Sequence, residues 1–187
     1  MKTFAVILAR GGSKGIPNKN LVEIMGKPLL FWTIRDALDS KIIEKVFVSS
    51  DDSEILKFSK NNGAIPIVRP KELSSNTASS ESGWLHALSK IPEANQAPAF
   101  FALQATSPLR HPNDFDAAYT IFQQGQFDTL FSAEKIKDHY IWKQTIENNE
   151  PDNFKYSERA MRQSLETKYL ENGSLYILNI KKFIHFK

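Results

Sequence analysis

The chain has 187 residues, 41% of them apolar and 24% charged, with a formal net charge of +3. That length fits one domain with a core large enough to fold without staples, and the composition excludes a disordered chain. Without cysteine there is no disulfide scaffold, thiolate metal site or cysteine nucleophile. So small a charge excess does not suit a nucleic-acid binder, but it leaves room for a locally basic pocket that takes an anion.

The first element is the apolar run Thr3–Ala9, followed at once by Arg10. It is far shorter than the ~20 residues of a membrane span and lacks the small-residue cleavage site of a signal peptide. It reads as a buried strand, and a cytoplasmic protein that needs no membrane is expected. Residues 28–39 open with Pro28 and place Leu30, Ile34, Ala37 and Leu38 on one side, the pattern of an amphipathic helix. Lys45–Ser49 is a short β-rich run. Asp52 or Ser53 then caps a helix that Asn62-Gly63 stops. Ile65–Val68 is the next strand. The polar stretch 69–80 is a loop that leads into a helix carrying Trp84, Leu85, Leu88 and Ile91. Ala99–Leu103 is a buried strand. Phe115, Ala118, Tyr119 and Phe122 mark another helix, Thr129–Ala133 another strand, and Ser174–Ile180 the last.

Strands alternating with helices predict an α/β fold: a mainly parallel sheet with helices on both faces, in a single domain over 1–187. Residues 135–172 break the alternation. They are polar, with scattered aromatics such as Tyr140, Trp142, Phe154 and Tyr156. This stretch is either an arm that packs on a partner or a long surface loop.

In such sheets ligands gather at the carboxyl ends of the strands. After the first strand comes Arg10-Gly11-Gly12-Ser13-Lys14-Gly15-Ile16-Pro17-Asn18-Lys19-Asn20, with three cations and no acid. Glycines let the backbone approach a ligand, and their amides can face an anion. The loop is either a polyphosphate cradle or a flexible basic turn. Its glycine spacing matches neither the Walker loop nor GxGxxG. Arg69 follows the third strand, and Gln104, Thr106, Ser107 and Arg110 follow the fourth. Together they suggest a polar, anion-accepting pocket. The histidines (His86, His111, His139, His185) are scattered, so a zinc site is not expected. No GxSxG elbow appears, so hydrolase chemistry has little support.

Several segments resemble the acylneuraminate (CMP-sialic acid) cytidylyltransferases. They are Ile7 to Gly15, Lys19-Asn20-Leu21, Gly26-Lys27-Pro28-Leu29, Val48-Ser49-Ser50-Asp51, Arg69-Pro70 through Ser80, Leu103 to Arg110, and Asn172 to Tyr176. The resemblance implies a Rossmann-like nucleotidyltransferase with a dimerisation arm. It implies transfer of CMP from CTP to the anomeric hydroxyl of a nine-carbon sugar acid, with Mg²⁺ as cofactor and a homodimer as the working form. By similarity Arg10, Gly11, Gly12, Ser13, Lys14 and Lys19 would hold the triphosphate, with Arg10 and Lys19 stabilising the leaving pyrophosphate. Asn20, Arg69 and Ser80 would face the cytidine. Gln104, with Thr106, Ser107 and Arg110 beside it, would contact the sugar acid. Lys143, Arg162 and Tyr176 would help bind its carboxylate and side chain, the first two from a neighbouring subunit if the arm crosses over.

Two departures from the family pattern stand out. Asn76 stands where family members often have Asp. The family's metal-binding aspartates, a D-x-D element, would lie beyond Lys187, so no metal ligand is assigned and the expectation is a truncated form that binds CTP but transfers weakly. The competing expectations are a legionaminic, pseudaminic or Kdo-type cytidylyltransferase, or a non-catalytic CTP-binding module.

Overall fold

A computed structural model describes residues 3–111, 113–136, 161 and 167–185, and the backbone alone of 142–144 and 149–151. β1 (Thr3–Leu8) runs into the basic loop, whose end is a short 3₁₀ turn, Lys19–Leu21. A small hairpin follows, β2 (Glu23–Ile24) with β3 (Lys27–Pro28), turned by Met25 and Gly26 at φ 52° and 75°. Only the second of these is a glycine, the residue that adopts positive φ freely. Then come α1 (Leu29–Asp39), β4 (Ile43–Ser50), α2 (Ser53–Asn61), β5 (Ile65–Val68) and α3 (Ser80–Ser89). β6 (Ala99–Gln104), α4 (Asp114–Gln124) and β7 (Thr129–Ile136) follow. β8 (Trp142–Gln144) pairs antiparallel with β9 (Asn149–Pro151), and the chain closes on β10 (Lys168–Asn179) and α5 (Ile180–His185).

The six-stranded sheet has the order β5-β4-β1-β6-β10-β7. β4–β5, β1–β4 and β1–β6 are parallel. Successive side chains of a strand point to opposite faces, and the core divides accordingly. Ala5, Ile7, Val46, Val48, Phe101 and Leu103 pack with Leu30 and Ile34 of α1, Ile55 of α2 and Phe115 and Tyr119 of α4. Phe4, Val6, Phe47, Phe100 and Ala102 pack on the other side with Trp84, Ala87 and Leu88 of α3 and Ile180 of α5. The expected α/β sheet with helices on both faces is therefore the observed one.

Several expectations change in detail. β10 is antiparallel to β6, pairing Leu175 with Leu103, and it starts at Lys168, within the segment that broke the sequence pattern. Leu38 is an exposed residue of α1, and Thr33, fully buried, takes a place on the inner face. On α5, Phe183 packs against the core, its ring 5.7 Å from that of Phe100. Contacts divide the chain into two compact units, 1–132 with 173–187, and 133–172. The candidate site described below belongs to the first.

Candidate active site

Because β1, β4, β5 and β6 are parallel, their carboxyl ends share one edge of the sheet. A cleft of about 300 Å³ opens there. One wall is the loop after β1, with Arg10, Ser13, Lys19 and Asn20. The other is the segment after β5, with Arg69 and residues 73–76 and 78–80. Gln104, Ala105 and Thr106 at the end of β6 complete it. Of the residues named from sequence, the structure thus brings together Arg10, Ser13, Lys19, Asn20, Arg69, Ser80, Gln104 and Thr106.

The basic loop is anchored from below. Asn20 is buried and its Nδ2 donates to the Arg10 carbonyl at 2.9 Å. The Arg10 Nη1 donates across to the Ser75 carbonyl at 3.0 Å, tying the two walls. The Gly11 amide, expected to face a ligand, instead donates to Asp51 Oδ1 at 3.1 Å. A Cβ on Gly11 would stand 2.6 Å from Asp52 Oδ2 and 2.9 Å from Asp52 Cβ, so close approach to this residue is what demands glycine there. Asp52 in turn caps α2, accepting from the Glu54 and Ile55 amides at 2.8 and 3.1 Å. The loop has no acid of its own, but the two residues after β4, Asp51 and Asp52, supply acids against Gly11.

Arg69 is buried, and its Nε donates to Ser74 Oγ at 2.9 Å. Its Nη groups donate to no other described residue. Burial lowers its pKa, Asp51 works the other way, and the Arg10 charge lowers it further. Two cations thus stand in one cleft, a setting that favours an anionic ligand.

Arg110 is a different case. It does not line the cleft. Its Nε donates to Ser174 Oγ at 3.0 Å, its Nη1 to Thr33 Oγ1 at 3.0 Å, and its Nη2 to the carbonyls of Gln104 at 3.1 Å and Ser174 at 2.7 Å. The guanidinium also lies 5.5 Å from the Phe115 ring centre. Desolvation brings its pKa down to about 10, with Asp36 and Asp114 opposing. Its donors are already used by the fold, so the structure makes it a brace between β6, β10 and α1 where a sugar contact was expected. Gly12, Lys14 and Ser107 also lie outside the cleft lining, as does Tyr176, whose ring packs 5.8 Å from Trp84. Tyr176 Oη and Gln104 Oε1 each lie within 4.0 Å of where a Cβ on Gly173 would be, at a φ of 68° that suits glycine. Arg162 and the side chain of Lys143 lie outside the described residues, as do Tyr140, Phe154 and Tyr156.

Sequence reasoning did not single out Leu73, Ser74, Ser75 or Ser79, all of which line the cleft, and it treated Asn76, also in the wall, only as a departure. The available signal was the serine-rich run itself, which ends in Ser79 Oγ capping α3 through the Ser82 amide.

The profile of the cytidylyltransferase family matches residues 4–182. The chain belongs to this family. It is 34% identical over 189 residues to the pseudaminic acid cytidylyltransferase of Campylobacter jejuni serotype O:23/36 (strain 81-176), covering 98% of this chain and 81% of that protein. It is 35% identical over 178 residues to the N-acylneuraminate cytidylyltransferase of Oncorhynchus mykiss, covering 92% of this chain and 40% of that protein. The Escherichia coli O18:K1:H7 N-acylneuraminate cytidylyltransferase is 32% identical over 196 residues, which cover 44% of its length. The chain thus spans less than half of these last two relatives. Among solved structures, CMP:2-keto-3-deoxy-manno-octonic acid synthetase complexed with CTP superimposes with a TM-score of 0.70 at 17% identity, over 98% of this chain and 76% of that one. That likeness is one of fold.

Among the described residues no group of three or more His, Asp or Glu stands together in a way that could hold a metal ion. Asp51 and Asp52 are engaged with Gly11 and the α2 cap. The described residues thus present no cluster of protein ligands for Mg²⁺. No helix among them is long and apolar enough to cross a membrane.

Proposed function

We propose that the protein transfers CMP from CTP to the anomeric hydroxyl of N-acylneuraminate. The observation that carries this reading is the cleft at the strand ends, lined by Arg10, Lys19, Arg69 and Gln104, in a chain that matches the family along nearly its whole length. The sugar hydroxyl attacks the α-phosphorus in line. A new O–P bond forms, the bond to the β-phosphate oxygen breaks, pyrophosphate leaves, and the hydroxyl proton passes to solvent. Such a reaction is accelerated chiefly by positioning and by donors aimed at the developing charge. Arg10 and Lys19 do the second. Arg69 and the serine-rich wall hold the nucleoside. Gln104 and Tyr176 receive the sugar acid.

A second reading has its own support. The match to the pseudaminic acid enzyme covers 81% of that protein, against 40% for the trout neuraminate enzyme. Pseudaminate is therefore the alternative acceptor. A cytoplasmic location, which suits CTP as donor, is part of the proposal. A Mg²⁺ requirement, a homodimer, and contributions from Lys143 and Arg162 to the sugar subsite belong to the same proposal. The test is pyrophosphate release from CTP with N-acetylneuraminate, pseudaminate, legionaminate and Kdo, with and without Mg²⁺. Turnover with N-acetylneuraminate well above the others upholds the reading. Turnover with pseudaminate alone selects the second, and none with any acceptor refutes both.

A further inference from the structure

Gly83 lies inside α3, where a glycine costs about 1 kcal/mol relative to alanine. It is buried, and no positive φ calls for it. What surrounds it does. A Cβ at this position would stand 3.0 Å from Arg69 Nη1, 3.1 Å from Leu8 Cδ1 and 3.4 Å from Leu8 Cδ2. Leu8 and Arg69 both line the cleft. The guanidinium has little freedom to retreat, because Ser74 Oγ holds its Nε at 2.9 Å and the residue is buried. We infer that Gly83 is a positioning residue. The missing side chain seats the Arg69 guanidinium against α3, which sets where its free Nη donors meet the nucleotide. This rests on the reading of the cleft as the CTP site.

Gly83→Ala separates the two possible roles of this glycine. As a seat for Arg69, its loss raises KM for CTP about tenfold, the scale of one misplaced charge-assisted hydrogen bond, while kcat stays within about twofold. Titration calorimetry with CTP shows the same weakening. In an Arg69→Ala background, where there is no guanidinium to displace, Gly83→Ala weakens CTP no further. The ¹⁵N resonance of the Arg69 Nε–H, recorded without nucleotide, shifts in Gly83→Ala. Unchanged CTP affinity and an unmoved Arg69 resonance, together with a higher melting temperature, would overturn the inference and make Gly83 a mere helix defect. So would full additivity in the double variant. If the unaltered protein bound no CTP, the cleft reading would fall, and the Arg69 resonance would still decide whether Gly83 seats the side chain.

Discussion

Arg69 and Arg110 each follow a strand of the same sheet, and both have a pKa lowered by burial, yet they occupy opposite kinds of surroundings. Arg110 gives four hydrogen bonds to residues as distant in sequence as Thr33 and Ser174. Arg69 gives one from its side chain, to Ser74, and leaves its Nη groups at the cleft. A guanidinium is a fork of five donors. When the fold consumes them the residue is a brace, and when it leaves them at a cavity they are open to a ligand. The contrast teaches that a strand-end arginine is assigned by its unspent donors and not by its position.

The comparison is most severely tested at the brace. Arg110→Ala leaves Thr33 and two inward carbonyls without their donor, a loss of about 3 kcal/mol at the usual cost of stranded polar groups. The melting temperature measured by calorimetry should drop by roughly 6–12 °C for a chain of this size, and CTP affinity of the folded fraction should hold within about twofold. A large loss of CTP affinity with full stability would reverse the assignment of the two arginines. Next in size is Lys19, a cleft cation whose ammonium donates to no other described residue. Lys19→Ala should lower turnover about 10²-fold, the scale of one lost transition-state donor, with the fold intact; stopped-assay pyrophosphate counting decides it. Smaller again is Arg69→Lys, which keeps the charge but loses the fork. CTP affinity should fall about tenfold, and an affinity equal to that of the unaltered protein would mean that only charge is read there.

The smallest effect concerns His86, on α3 beside Arg69. Burial lowers its pKa from 6.5, with Lys90 and Arg69 adding to the shift, and its Nδ1 is buried without a partner among the described residues. The unfolded chain therefore binds this proton more readily than the folded one. Stability is full above pH 6.5 and declines as pH falls towards the lowered value. Melting temperatures from pH 7.5 to 5.5 should show a shallower decline in His86→Gln. Parallel curves for the two proteins would remove His86 from the account.

The sequence made the two-faced sheet legible, because continuous apolar runs such as Thr3–Leu8 and Ala99–Gln104 can be buried on both sides only between helix layers. Most of the cleft was legible too, since strand ends carry it. What was not legible depends on distant partners. Arg110 looked like Arg69 because Ser174, 64 residues away, takes two of its bonds. Gly11 looked like an anion-facing amide because Asp51, 40 residues away, takes its hydrogen. The direction of β10 leaves no mark on an apolar run, and the two-residue strands of the β2–β3 hairpin are too short to show a period.

The pairing of Leu175 with Leu103 bridges more than seventy residues of chain, and this bears on the order in which the molecule is made. β1, β4, β5 and β6 can pair, and the Arg10–Arg69 side of the cleft can form, as soon as α3 and β6 have emerged. Closing so long a loop is entropically slow. Gln104 therefore gains its fixed carbonyl, through Arg110 and Ser174, only when β10 arrives. During synthesis the Arg10–Arg69 side of the cleft can therefore form before Gln104 is held in place.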